Sequence, residues 1–285
     1  MINLDIKRCL SGSLGKMELS VKLEIKNQEF IALSGKSGSG KTTFLRILAG
    51  LETARGKIIV DDKTWLKNKK NLAPQKRKLG FVFQDYALFT NMSVMNNLLF
   101  VKKDLNLANK LLGLTELKSL EHMMPENLSG GQKQRLSLCR ALMSKPKLLL
   151  LDEPLSALDP IMREKLQNDI LRLHQEFGLT SIIVSHEPSE IYKLASRVLV
   201  LENGKLIKDG SAKEVLLKTS GSQKFSFEAK LIDIKKIDII YVAIVAIGQQ
   251  LSEIVISQSE VKELKIGDRI KVSTKAFSPI INKIL

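Results

Sequence analysis

One octapeptide limits what this chain can fold into: Gly35-Lys36-Ser37-Gly38-Ser39-Gly40-Lys41-Thr42, a G-x-x-x-x-G-K-[ST] loop. Residues 29–34 before it form an apolar run of strand length, and residues 43–49 after it read as a helix ending at Gly50. Glycines at 35, 38 and 40 let backbone N–H groups wrap an anion, and the next helix points its positive N-terminal end at the same place. In such a loop Lys41 reaches the β- and γ-phosphates and Thr42 ligates Mg2+. A strand–loop–helix of this kind belongs to an α/β fold with parallel strands.

Two further stretches carry the matching chemistry. Lys147-Leu148-Leu149-Leu150-Leu151-Asp152-Glu153 is an all-apolar strand, as in a sheet buried on both faces, and it ends in two carboxylates. Ligands bind at the carboxyl ends of parallel strands, so Asp152 is placed to hold Mg2+ and Glu153 to orient or deprotonate a water. Leu128-Ser129-Gly130-Gly131-Gln132 opens a helix and leaves free N–H groups at its start, a second anion site. One nucleotide needs only one cradle, so the second is read as serving a neighbouring molecule's nucleotide.

The order of elements follows from pattern. Strands are expected over 2–8, 18–25, 29–34 and 56–62, then a loop rich in Lys, Asn and Pro, then a strand over 79–84. Leu-rich helical spacing dominates 92–142, interrupted near Gly113 and Pro125. A helix over 161–177, a strand over 180–185 ending at His186, a helix over 187–194, a hairpin turning at Asn203-Gly204 and a helix near 211–218 follow. Beyond a polar linker at 219–224 the pattern is all β, with Gly267-Asp268 as a turn.

Composition matters here for what it argues against. With 45 Lys and Arg against 30 Asp and Glu, the net charge of +15 allows nucleic acid or an anionic membrane as partner, but a generally basic surface explains it better. The densest cluster, Lys67, Lys69, Lys70, Lys76, Arg77 and Lys78, has no interleaved aromatic besides Trp65, so no nucleic acid partner is expected. Cys9 and Cys139 lie in no metal-ligand spacing and suit a reducing cytoplasm. No apolar run is long enough to span a bilayer, so any spanning helices are expected from another chain.

Taken together, these motifs resemble the nucleotide-binding subunits of ATP-binding-cassette transporters over about residues 1–218. Residues 35–42 match the Walker A loop, Gln84 the Q-loop, 128–132 the LSGGQ signature, 148–153 Walker B, 156–159 the D-loop and 185–187 the switch histidine. The resemblance implies a P-loop NTPase fold of cassette type, with a helical subdomain at about 88–142. It implies a head-to-tail homodimer in which ATP held by Gly40, Lys41, Thr42 and Thr43 of one subunit is covered by Ser129, Gly131 and Gln132 of the other. Gln84 is then expected at Mg2+ and the water, His186 at the γ-phosphate, and Asp159 in communication across the dimer. The implied setting is the cytoplasmic face of the inner membrane, with integral permease subunits as partners and a solute-binding protein acting indirectly.

Two features bear on the cargo. Residues 10–17 offer Leu14-Gly15 and no aromatic for adenine, so weak discrimination of ATP from GTP is expected. Residues 225–285 are similar to the small MOP-like, OB-like barrels of molybdate importer ATPases, with Lys275, Ser273 and Thr274 as candidate donors to a tetrahedral oxyanion. The family's own oxyanion segment has no clear counterpart around 222–230, and sulfate, ferric iron or a polyamine are alternative cargoes. A soluble cassette ATPase of DNA repair or translation is disfavoured by the single cassette. A sensor without turnover is disfavoured by Glu153 and His186.

Overall fold

The computed structural model describes residues 1–12, 15–68, 70–216, 223–237, 240–248 and 250–275. Leu14 and Lys69 lie outside these residues, as do the side chains of Ser273, Thr274 and Lys275. The chain divides into two compact units, Met1–Leu217 and Lys218–Leu285.

In the first unit, alternation of apolar and polar residues makes β1 (Ile2–Gly12) and β2 (Gly15–Ile25) an antiparallel hairpin, with Ile2, Leu4 and Ile6 buried against Leu19, Val21 and Leu23. β3 (Phe30–Ser34) leads through the phosphate loop into α1 (Lys41–Ala49), which Gly50 ends in a left-handed cap at φ 79°. β4 (Arg55–Val60) pairs with β1, and β5 (Lys63–Lys67) and β6 (Lys70–Asn71) extend that edge. The stretch after Asp62, expected as loop, thus contains two short strands. Their lysines make them read as polar, while Trp65 and Leu66 are buried.

After β7 (Leu79–Val82) come three helices, α2 (Val94–Val101), α3 (Leu105–Leu114) and α4 (Gly130–Leu142), which occupy the expected helical stretch. The chain returns through β8 (Leu148–Asp152), α5 (Pro160–Glu176), β9 (Thr180–Val184), α6 (Pro188–Leu194), β10 (Arg197–Glu202), β11 (Lys205–Ser211) and α7 (Ala212–Leu216). The sheet order is β6-β5-β4-β1-β2-β11-β10-β3-β9-β8-β7, and β10, β3, β9, β8 and β7 are mutually parallel.

The all-apolar strands are explained by two cores. Leu149 and Leu151 of β8 face one, with α2 to α6, while Leu148 and Leu150 face the other, with α1 and the N-terminal hairpin. Each fully buried leucine contributes roughly 1.5–3 kcal/mol. In the sheet the parallel and antiparallel halves meet where β11 lies against β2. Between β10 and β11, Asn203 and Gly204 take positive φ of 47° and 76°, and Ser20 N–H donates to Gly204 O at 2.8 Å. A Cβ on Gly204 would lie 2.3 Å from Glu18 O, so only glycine lets this turn rest on β2.

The second unit is an antiparallel sheet of β12 (Gln223–Ile237), β13 (Ile240–Ile247), β14 (Gln250–Ile256) and β15 (Arg269–Lys275), ordered β14-β13-β12-β15. Its core is Ala229, Leu231, Ala243 and Val245, packed by residues that include Ile254, Ile256 and Leu264. Among the described residues the sheet is open at β14 and β15, where a small barrel, complete by itself or with a second copy, was the expectation. A helix the pattern did not suggest, α8 (Gln258–Glu263), starts with a capping box of Ser257 and Glu260.

Candidate nucleotide site

The phosphate loop is built to approach an anion closely. Gly35, Gly38 and Gly40 have φ of 145°, 77° and 100°, and a Cβ on Gly35 would sit 2.1 Å from Leu201 O. Lys36, Ser37 and Gly38 are exposed at the loop tip, whereas Ser39 and Lys41 are buried. Lys41 Nζ donates to Gly35 O at 2.7 Å and Lys36 O at 2.9 Å, which aims the ammonium into the loop. Ser39 Oγ is buried without a hydrogen-bond partner among the described residues. A cradle with an enclosed cation, an orphan hydroxyl and no tolerance for a Cβ fits a phosphate group.

Beside it, Thr42 Oγ1 donates to Asp152 Oδ1 at 3.2 Å. Burial raises the Asp152 carboxyl above the ordinary range, against the Thr42 hydrogen bond, and burial lowers Lys41 against the pull of Glu153 and Asp152. Lys41 and Asp152 are thus a buried pair of opposite charge whose ionised forms call for further partners.

Strand order explains how distant residues meet. Gln84 lies two residues beyond β7, Asp152 ends β8 with Glu153 next, His186 lies two residues beyond β9, and the phosphate loop leaves β3. Since β3, β9, β8 and β7 are parallel neighbours, all of these lie at one rim, the carboxyl ends of the strands. Glu153 and His186 line a common small cleft. Glu153 has a φ of 46°, a left-handed backbone costing roughly 1–3 kcal/mol in a non-glycine residue. Ser156 holds it there by donating both its N–H and its hydroxyl to Glu153 O, at 3.4 and 3.0 Å.

The signature residues are arranged differently. Ser129 caps α4, accepting from Gln132 N–H, while Gln132 Oε1 accepts from Ser129 N–H at 2.8 Å. Gly131 is buried, and a Cβ there would lie 3.3 Å from Met162 Sδ. Among the described residues no hydrogen bond joins this helix start to the phosphate loop of the same chain. Thr43 sits in the first turn of α1, and Asp159 caps α5 by accepting from Ile161 and Met162 N–H, each at 3.0 Å.

Three interactions near the rim escaped the sequence. Arg140 of α4 donates to Tyr86 O and Ala87 O, which follow Gln84 with φ of 61° and 46°. Asn97, fully buried, fixes the next residues by hydrogen bonds to Phe89, Met92 and Ser93. Arg163 and Glu190 pair within the cleft that holds His186. Their one available signal was helical spacing after Asp159 and His186, which solvated faces share.

A phosphate cradle on β3, carboxylates ending β8, a polar residue beyond each flanking strand and a separate glycine-rich helix start define a nucleotide-binding cassette. The family model described as ABC transporter matches residues 19–156. The chain is 44% identical over 206 residues to a probable sulfate/thiosulfate import ATP-binding protein, CysA, of Chlorella vulgaris, covering 68% of this chain and 85% of that one. It is 41% identical over 224 residues to the molybdenum import ATP-binding protein ModC of Pseudomonas aeruginosa, covering 75% of this chain and 61% of that one. Other import ATP-binding relatives are matched over a similar share, 58% for the CysA of Mesostigma viride. The dimeric, post-hydrolysis structure of the ATP-binding cassette MJ0796 bound to ADP and Pi superposes with a TM-score of 0.65 at 27% identity, over 74% of this chain and 99% of that one. The chain belongs to the ABC transporter family, and it spans about 58% of the length of the Mesostigma viride relative. No helix among the described residues is long and apolar enough to cross a membrane.

Replacing Lys41 with alanine should weaken ATP binding roughly 10- to 100-fold, the worth of a charge-assisted hydrogen bond to phosphate. Titration with a fluorescent ATP analogue checks this, and unchanged affinity would remove Lys41 from the site.

Proposed function

We propose that two copies of this chain close head to tail on two ATP molecules, and that hydrolysis and reopening drive import through separate membrane subunits. The observation that carries this reading is the division of the site. Lys41, Thr42, Asp152, Glu153 and His186 gather at one rim, while the capped helix start at Ser129, Gly131 and Gln132 has no hydrogen bond to it among the described residues. A second copy supplies what the rim lacks, with Asp159 at the seam between the two.

In this reading Gly35 to Thr43 hold the triphosphate, Glu153 takes the proton of the attacking water, and Gln84 and His186 position water and γ-phosphate. Thr42, Asp152 and Gln84 are the residues to hold Mg2+, which would offset the phosphate charge. Among the described residues no cluster of three or more His, Cys, Asp or Glu forms a metal site by itself. That suits an ion which keeps water and takes its other oxygens from phosphates. The protein would sit peripherally at the cytoplasmic face of the inner membrane, bound to permease subunits and fed indirectly by a solute-binding protein.

For cargo we propose a tetrahedral oxyanion, molybdate or tungstate, with the C-terminal sheet as a MOP-like barrel completed by a second copy across its two open edges. Sulfate is the second reading, favoured by the 44% identity to a sulfate/thiosulfate relative. Titration calorimetry of the whole chain with molybdate, tungstate and sulfate distinguishes them. Saturable heat with molybdate or tungstate that disappears in Lys275→Ala is the expected result, and heat with none of the three would overturn the barrel as an oxyanion sensor.

A further inference from the structure

His186 lies on an exposed turn, yet a buried chain of contacts fixes the residue before it. Ser185, 4% exposed, donates its hydroxyl to Glu190 Oε2 at 2.7 Å and accepts Glu187 N–H at 3.1 Å. Its hydroxyl therefore ties the residue before the histidine to two residues after it. Glu190, the fourth residue after His186, is 5% exposed on α6. Its second oxygen, Oε1, faces Arg163 Nε of α5 at 3.4 Å. Arg163 Nε is buried with no hydrogen-bond partner among the described residues, so this contact is a charge pair and not a hydrogen bond. Arg163 Nη2 donates to Leu158 O at 3.3 Å, in the loop that ends at Asp159. Glu153, Ser156, Arg163, His186 and Glu190 line one cleft of about 40 Å³.

A carboxylate is required at the centre of this chain. Its two oxygens accept from the Ser185 hydroxyl and face the Arg163 guanidinium at once, whereas an amide has one acceptor. With glutamine, either Arg163 faces an NH2 group or the Ser185 proton loses its acceptor, since the amide offers a single acceptor oxygen. We infer that Glu190 and Arg163 are a positioning pair tying the His186 turn to the 156–159 loop, so that the imidazole reaches the nucleotide only when that loop is in place. This rests on the nucleotide-hydrolysing reading of the rim, and neither residue is assigned contact with the nucleotide itself.

Imidazole NMR tests it independently of turnover, because the sequence has three histidines. His174 bonds to Ser181 Oγ, and the His122 side chain is 92% exposed. In Glu190→Gln the His186 signal should shift or broaden while those of His122 and His174 stay. ATP turnover should fall about tenfold with ATP affinity held within about twofold, as for loss of an orienting partner. Ser185→Ala removes the same link from the other end and should displace the same signal. The double variant should lose no more than either single one, and Ser185→Ala carries the test if Glu190→Gln does not fold. An undisturbed His186 signal, or affinity falling in step with turnover, would overturn the inference. Absence of ATP hydrolysis in the unmodified chain would instead overturn the functional reading, with the imidazole signals still deciding this one.

Discussion

Replacing Glu153 with glutamine is expected to lower ATP turnover about 1,000-fold while ATP stays bound, because general-base catalysis contributes on the order of 10²–10⁴-fold. The amide has the same shape and can still orient a water, but it cannot accept the proton. The backbone around it should be preserved, since both Ser156 donors go to Glu153 O and not to its side chain. Losing a negative charge beside Lys41 and the phosphates should also strengthen ATP binding. The variant should therefore accumulate as a closed, ATP-loaded dimer, seen as a doubling of mass in size-exclusion chromatography with ATP. Phosphate release at the unmodified rate would remove Glu153 from its role, and loss of ATP binding would show that the left-handed turn does not tolerate the change.

Arg77→Ala is expected to cost about 3–5 kcal/mol of stability, the range for breaking a buried charged network. Arg77 is 4% exposed, and its guanidinium closes the C-terminal end of α1 by donating to Ile47 O and Leu48 O. It also donates to Leu72 O at 2.9 Å and Asn71 Oδ1 at 2.6 Å and lies over the Trp65 ring at 5.2 Å. Burial lowers its pKa to about 10, so it stays charged at neutral pH, where the negative end of the helix dipole favours it. Truncation takes this donor from Leu48 O and Leu72 O, while Ile47 O keeps the Gly50 N–H at 3.0 Å, and it leaves a cavity under Trp65; lysine lacks the planar fork that serves several acceptors at once. Trp65 is the one tryptophan in the sequence, so its fluorescence follows unfolding directly. A loss under about 1 kcal/mol in urea would mean that water replaces the guanidinium.

Arg77 also marks the limit of what could be read in advance. The phosphate loop, the Asp152-Glu153 strand end and the Asn203-Gly204 turn were legible because each depends on near neighbours: glycine's freedom, a period of two, a strand ending in charge. The rim itself was only implied, since it depends on the order in which β3, β9, β8 and β7 pair. Arg77 was counted within a basic cluster, yet it points inward, because helix carbonyls 30 residues away supply acceptors that no local pattern records. Glu190 and Arg163 were hidden likewise, as charges on amphipathic helices. In the C-terminal unit the strands were visible from alternation, while α8 was overlooked despite its Ser257-to-Glu260 capping signature.

The seam between the two halves of the sheet has a consequence for biosynthesis. β1 and β2 leave the ribosome well before the turn that rests on Glu18 and Ser20, which is made at Gly204. At roughly 5–20 residues per second, the N-terminal hairpin waits on the order of 10–40 s for that neighbour. The phosphate loop is synthesised early too, yet β3 stands between β10 and β9, both made late. ATP can therefore act as a ligand that favours folding only after β9 and β10 have been made, and until then the emerging chain depends on whatever shields its unpaired strand edges.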